Sequence, residues 1–73
     1  MECEIVVKCI NPCAGAGRPQ TYFEETEVSD TDAYVRAKHR RDFSRAVKWM
    51  QGDVIRYRLD AGGVVYEYEF TPI

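Results

Sequence analysis

Five glycines and three prolines among 73 residues are too few for a collagen-like or low-complexity chain. Long apolar runs are missing too. A membrane span needs roughly 18–20 apolar residues, and the run Ile5-Val6-Val7 already ends at Lys8. The chain lacks the high net charge and the aromatic poverty that keep a sequence disordered: its formal charge is −2 and 12% of it is aromatic. A basic opening segment is absent, and Glu2 and Glu4 stand in its place. No secretory signal peptide is therefore expected. Cytoplasmic location and reduced thiols are the matching expectations. Internal repeats and linker-like stretches are lacking as well, so residues 1–73 read as one small domain.

What is present is ordinary for a folded domain: 45% hydrophobic and 30% charged residues. A domain of about 60–70 residues buries only about 60% of its unfolded surface. A deep, water-excluded site is hard to build on so thin a core, so the size favours a binding module over an enzyme.

Residues 3–10 alternate as a strand, with Cys3, Ile5, Val7 and Cys9 on one face. Residues 11–19 carry two prolines and two glycines and read as a hairpin loop. Residues 21–28 form a second strand whose glutamates suit a sheet edge. Ser29 or Asp30 caps a helix that runs to about 39–41. Ala33, Tyr34 and Ala37 give that helix a narrow apolar stripe. Residues 43–50 fit two periods: Phe43, Ala46, Val47 and Met50 at helical spacing, or alternation through Val47 and Trp49. One straight helix would rotate its apolar face by more than about 100°, so either the helix breaks near Asp42 or the chain turns into a strand, and the strand is slightly favoured. Gly52 would close the helical alternative. Gly62-Gly63 supplies the positive φ of a type I′ turn. That turn pairs Ile55, Tyr57 and Leu59 with Phe70, Tyr68 and Tyr66, and Arg56 and Arg58 with Glu69 and Glu67. The expected class is α+β: an antiparallel sheet of four or five strands with one α-helix packed on one face, in ββα-ββ(β) order.

Chemistry-bearing motifs are sparse. Cys3, Cys9, Cys13 and the sole histidine, His39, could number four zinc ligands, but their spacing matches no knuckle. Core or free thiols are the preferred reading, and no metal or cofactor is expected. Cys13 beside Arg18 has the setting of an activated thiol but no base placed near it. Residues 14–18 look like a phosphate loop, yet a strand follows rather than a helix, and Gly-Lys-Ser/Thr is absent. Paired carboxylates for acid–base chemistry are not specified.

Charge segregation is the most distinctive feature. Between 19 and 35 stand Glu24, Glu25, Glu27, Asp30 and Asp32 with no basic residue. Between 36 and 48 stand Arg36, Lys38, His39, Arg40, Arg41, Arg45 and Lys48, against Asp42 alone. This basic surface, with loop contacts from Cys13 and Arg18, is the candidate interface. A protein partner is the leading expectation. The alternative is a nucleic-acid-contacting module that binds phosphates through 36–48, with Tyr34 and Trp49 stacking on bases.

In size, acidity and layout, the helix 30–41 between hairpins and the terminal hairpin 54–70 resemble small phage- and mobile-element-encoded bacterial proteins, including some anti-CRISPR inhibitors. The resemblance implies action by binding a larger complex through exposed strands and a charged helix, without catalysis; the short apolar runs separately give no expectation of a membrane partner. It carries no functional residues over. A monomer or weak homodimer is expected, since an open edge strand could pair across a two-fold axis.

Overall fold

The computed structural model describes residues 1–11 and 20–73. The expected loop contacts at Cys13 and Arg18 lie outside them. The elements are β1 (Glu2–Ile10), β2 (Gln20–Glu27), α1 (Thr31–Lys38), a 3-10 turn (Phe43–Arg45), β3 (Val47–Gln51), β4 (Val54–Ala61) and β5 (Val64–Pro72). The strands form one antiparallel sheet in the order β2-β1-β5-β4-β3, with α1 on one face.

The β4–β5 hairpin has the register its side chains call for. Ile55, Tyr57 and Leu59 oppose Phe70, Tyr68 and Tyr66, and Arg56 and Arg58 oppose Glu69 and Glu67. Gly62 and Gly63 have φ of 63° and 87°, the backbone a type I′ turn requires at both central positions. Asp60 steadies the turn by accepting the Gly63 N–H at 3.0 Å. The two hairpins are joined by β1 against β5, which sets Ile5 beside Phe70 and Val7 beside Tyr68.

Residues 43–51 divide between the two periods. Phe43–Arg45 is a single 3-10 turn, Ala46 is extended, and Val47–Gln51 pairs with β4, setting Trp49 opposite Arg56. Gly52 does not end a helix. It turns β3 into β4 with φ 61°, and it occupies the first central position, as in a II′ turn.

Asp30 caps α1, its Oδ1 accepting the Ala33 N–H at 3.2 Å. The stripe expected at Ala33, Tyr34 and Ala37 is corrected. Ala33 and Ala37 are exposed, Tyr34 is half-buried, and Thr31 and Val35 are buried. Alanine has little area to gain from burial, whereas Thr31 and His39 reach the tyrosines of β4 and β5, and Val35, four from each, is fully buried. The core beneath them is Cys3, Ile5, Val28, Val35, Tyr57, Leu59, Tyr68 and Phe70. Phe70 is its hub: Tyr34 and Tyr57 meet it edge-to-face at 5.5 and 5.6 Å. Each such pair adds about 0.5–1.5 kcal/mol beyond the area it buries.

The opposite sheet face carries no second layer among the described residues. Register aligns Phe23, Val6, Glu69, Arg56 and Trp49 across it in one row.

Candidate binding surface at the helix C-terminus

The basic segment divides into an exposed group and a structural pair. Arg36, Lys38, Arg40, Arg41 and Arg45 are exposed. Among the described residues, none of the five is in an ion pair. Arg36 lays its guanidinium 4.9 Å from the Phe43 ring, and Lys38 sets its ammonium 5.4 Å from the Tyr34 ring. Both charges thus lie over an aromatic ring while their residues remain exposed. Ala33, Arg36, Ala37 and Arg40 line a shallow depression on the outer side of α1. Two small residues between two arginines leave room there for a partner's side chain. Basic side chains also suit this end of the helix, where carbonyls carry partial negative charge.

His39 is half-buried, and Lys48, though exposed, is paired. His39 follows α1 and turns inward, its Nε2 lying 2.6 Å from the Tyr68 hydroxyl and its ring 4.5 Å from that of Tyr66. Burial holds its imidazole below the ordinary value, with Asp42 opposing that shift and Lys38 adding to it. Burial likewise pushes the Tyr68 phenol upward, so it keeps its proton. Both partners are held neutral, so the hydrogen bond joins an uncharged phenol to an uncharged imidazole. Lys48 donates to Asp32 Oδ1 at 3.1 Å and covers the Tyr57 ring at 5.7 Å.

Asp32 is also the acceptor of the Tyr57 hydroxyl, and Tyr57 lies 2.7 Å from the Thr31 hydroxyl. The Tyr57 bond, then that of Lys48, holds the Asp32 carboxyl below its ordinary range. This polar seam joins the first turn of α1 to β4 and β3. The spacing of Thr31, Val35 and His39 was its signal in the sequence, together with tyrosines on both strands of one hairpin.

The aromatic groups expected to flank the basic surface are committed elsewhere. Tyr34 packs on Phe70 and Tyr68 and gives its hydroxyl to Glu24 at 3.1 Å. Burial and that bond raise its pKa to about 12. Trp49 alternates with Lys48 and stands on the open sheet face.

Among the described residues the candidate zinc ligands do not form a metal site. Cys3 is fully buried, its thiol 3.8 Å from the Thr26 carbonyl oxygen, and burial pushes that thiol upward. His39 is taken by Tyr68, and Cys13 lies outside the described residues. No group of three or more His, Cys, Asp or Glu side chains among the described residues could hold a metal ion. Among them, too, no helix is long and apolar enough to cross a membrane. No family model, curated protein or solved structure matches this chain.

Proposed function

We propose that the chain is a non-enzymatic binding module that docks onto an acidic surface of a protein partner through Arg36, Lys38, Arg40, Arg41 and Arg45. One observation carries the reading: five exposed cations gathered at one helix end, none of them in an ion pair among the described residues. Charges arranged in this way steer association and fix orientation rather than supply most of the affinity. The loop residues Cys13 and Arg18 would extend the contact. The nucleic-acid alternative draws less support, because Tyr34 is half-buried against Phe70 with Lys38 over its ring, and Trp49 stands on the other sheet face. Without a stacking platform, only phosphate contacts remain to it.

The test compares the protein with an Arg36→Glu/Arg40→Glu/Arg41→Glu variant and a Lys8→Glu control on the open face. Partner capture from the host should be lost in the triple variant and kept in the control. Retention of DNA or RNA at low salt, lost in the same triple variant, would instead support the nucleic-acid reading.

A further inference from the structure

The sheet ends in two edges of opposite character. β2 carries Glu24, Glu25 and Glu27. Any self-pairing centred on Glu24, Glu25 or Thr26 sets one glutamate against another, which disfavours those registers at that edge. β3 carries Val47, Trp49 and Met50 at 60%, 40% and 63% exposure, with Lys48 as its only charge. Of the devices that deter edge pairing it has only its short length and Lys48, whose charge is already paired with Asp32 at 3.1 Å.

Its backbone is available as well. The Gly52-Asp53 turn joins Gln51 to Val54, the closing pair of the hairpin. In a two-residue hairpin the closing pair exchanges both ladder bonds, and every second pair does so after it. Val47, Trp49 and Gln51 therefore turn their peptide groups toward β4. Lys48 and Met50 turn theirs outward. No backbone bond outside the β3–β4 ladder uses them among the described residues.

We infer that β3 is the interface of a two-fold homodimer, pairing antiparallel with β3 of a second copy about Trp49. Three features of the strand favour its own copy as the occupant. The outward peptide groups of Lys48 meet those of Met50 in the other copy, which closes four backbone bonds. Lys48 faces Met50 rather than another lysine, so no like charges oppose. The two Trp49 side chains fall together on the open face, at the closely spaced kind of pair. The axis is normal to the sheet, giving ten continuous strands with both helices on one side. Five residues per copy make a small contact, well below a standard interface, so the dimer is weak and concentration-dependent. The proposal does not rest on the basic surface, but it places two copies of that surface on the same side, where a multivalent partner would gain avidity.

The experiment is sedimentation velocity of the whole chain across roughly a hundredfold range of concentration. The fluorescence of Trp49, the sole tryptophan, is followed over the same range. Monomer should pass to dimer and stop there, with Trp49 emission shifting as the dimer fills. Met50→Lys places lysine against Lys48 of the other copy twice per dimer and should weaken it roughly fivefold. Met50→Glu places an opposite charge there and should tighten it by a similar factor. Met50 is exposed in the monomer, so thermal unfolding at concentrations where the chain is monomeric should match that of the natural chain in both variants. A monomer at every concentration overturns the proposal. So does open-ended growth, which is the signature of β2 on β3, and so do Met50→Lys and Met50→Glu moving the equilibrium in the same direction.

Discussion

The two faces of the sheet use the same strands for opposite ends. Toward α1, Cys3, Ile5, Tyr57, Leu59, Tyr68 and Phe70 are almost wholly buried. On the other side Lys8 and Arg58 are exposed, Glu67 is half-buried, and Arg56 reaches Glu69 at 3.2 Å with both side chains about one-third open to solvent. Alternation along each strand separates the two sets. The difference teaches where stability resides. The covered face holds the aromatic packing and the hydroxyl seam, whereas the open face contributes ion pairs that water screens. Free energy of folding should therefore be concentrated on one side of a single layer, and substitutions on the two sides of adjacent residues should differ severalfold.

The largest effect should come from Phe70→Ala on the covered face. It empties the site on which Tyr34 and Tyr57 pack, and it should cost about 3–5 kcal/mol by denaturant unfolding. An effect near that of an open-face truncation would erase the contrast.

Tyr57→Phe comes next. It removes one oxygen, leaves Thr31 and Asp32 without their shared partner, and should cost about 1–3 kcal/mol. The same change should alter acid sensitivity. Asp32 is held low in the fold, so its contribution is present above the ordinary carboxylate range and is lost as pH falls through its depressed value. Urea midpoints measured against pH should show a shallower acid limb in Tyr57→Phe.

His39 supplies a smaller, separable dependence at the margin of the covered face. Its folded pKa lies below the ordinary value of about 6.5, so the unfolded chain binds the extra proton first. Stability from the neutral ring is complete above about 6.5. It declines as pH falls from there to the lowered folded value, and levels below it. His39→Gln should flatten that interval, and NMR titration of the ring should give the lowered midpoint directly. An imidazole titrating above the ordinary value would overturn the assignment.

The smallest effect belongs to the open face. A double-mutant cycle on Arg56 and Glu69 should yield a coupling of about 0.2–1 kcal/mol that shrinks with added salt. A salt-insensitive coupling as large as the cost of Tyr57→Phe would mean that the open face is structurally equal to the covered one.

Much of the fold was legible in the sequence. The β4–β5 register followed from Gly62-Gly63 and from the match of aromatics with aromatics and arginines with glutamates. The outer position of β2 followed from its glutamates. Residues 43–50 were ambiguous because a 3-10 turn and a strand lie end to end there, each too short to establish its own period. The helix stripe was misread because Ala33 and Ala37 are apolar, yet burying them gains little, while Thr31 and His39 find hydroxyl partners more than 20 residues away in sequence. For the same reason the basic cluster was only partly legible. Composition locates its charges, but not that Asp32 takes Lys48 or that Tyr68 takes His39.

Local pattern alone determined four of the five strands, the Gly62-Gly63 turn, a cap at Ser29 or Asp30 and the segregation of charge. These depend on side-chain period, on positive φ at glycine, and on neighbours within a few residues. Tertiary structure decided that β1 lies against β5, which face of α1 is buried, and which cations remain free. Those outcomes depend on pairings between residues far apart in the chain. A hydroxyl, a ring or a carboxylate exerts its influence through distance and orientation, and neither exists until the sheet has closed.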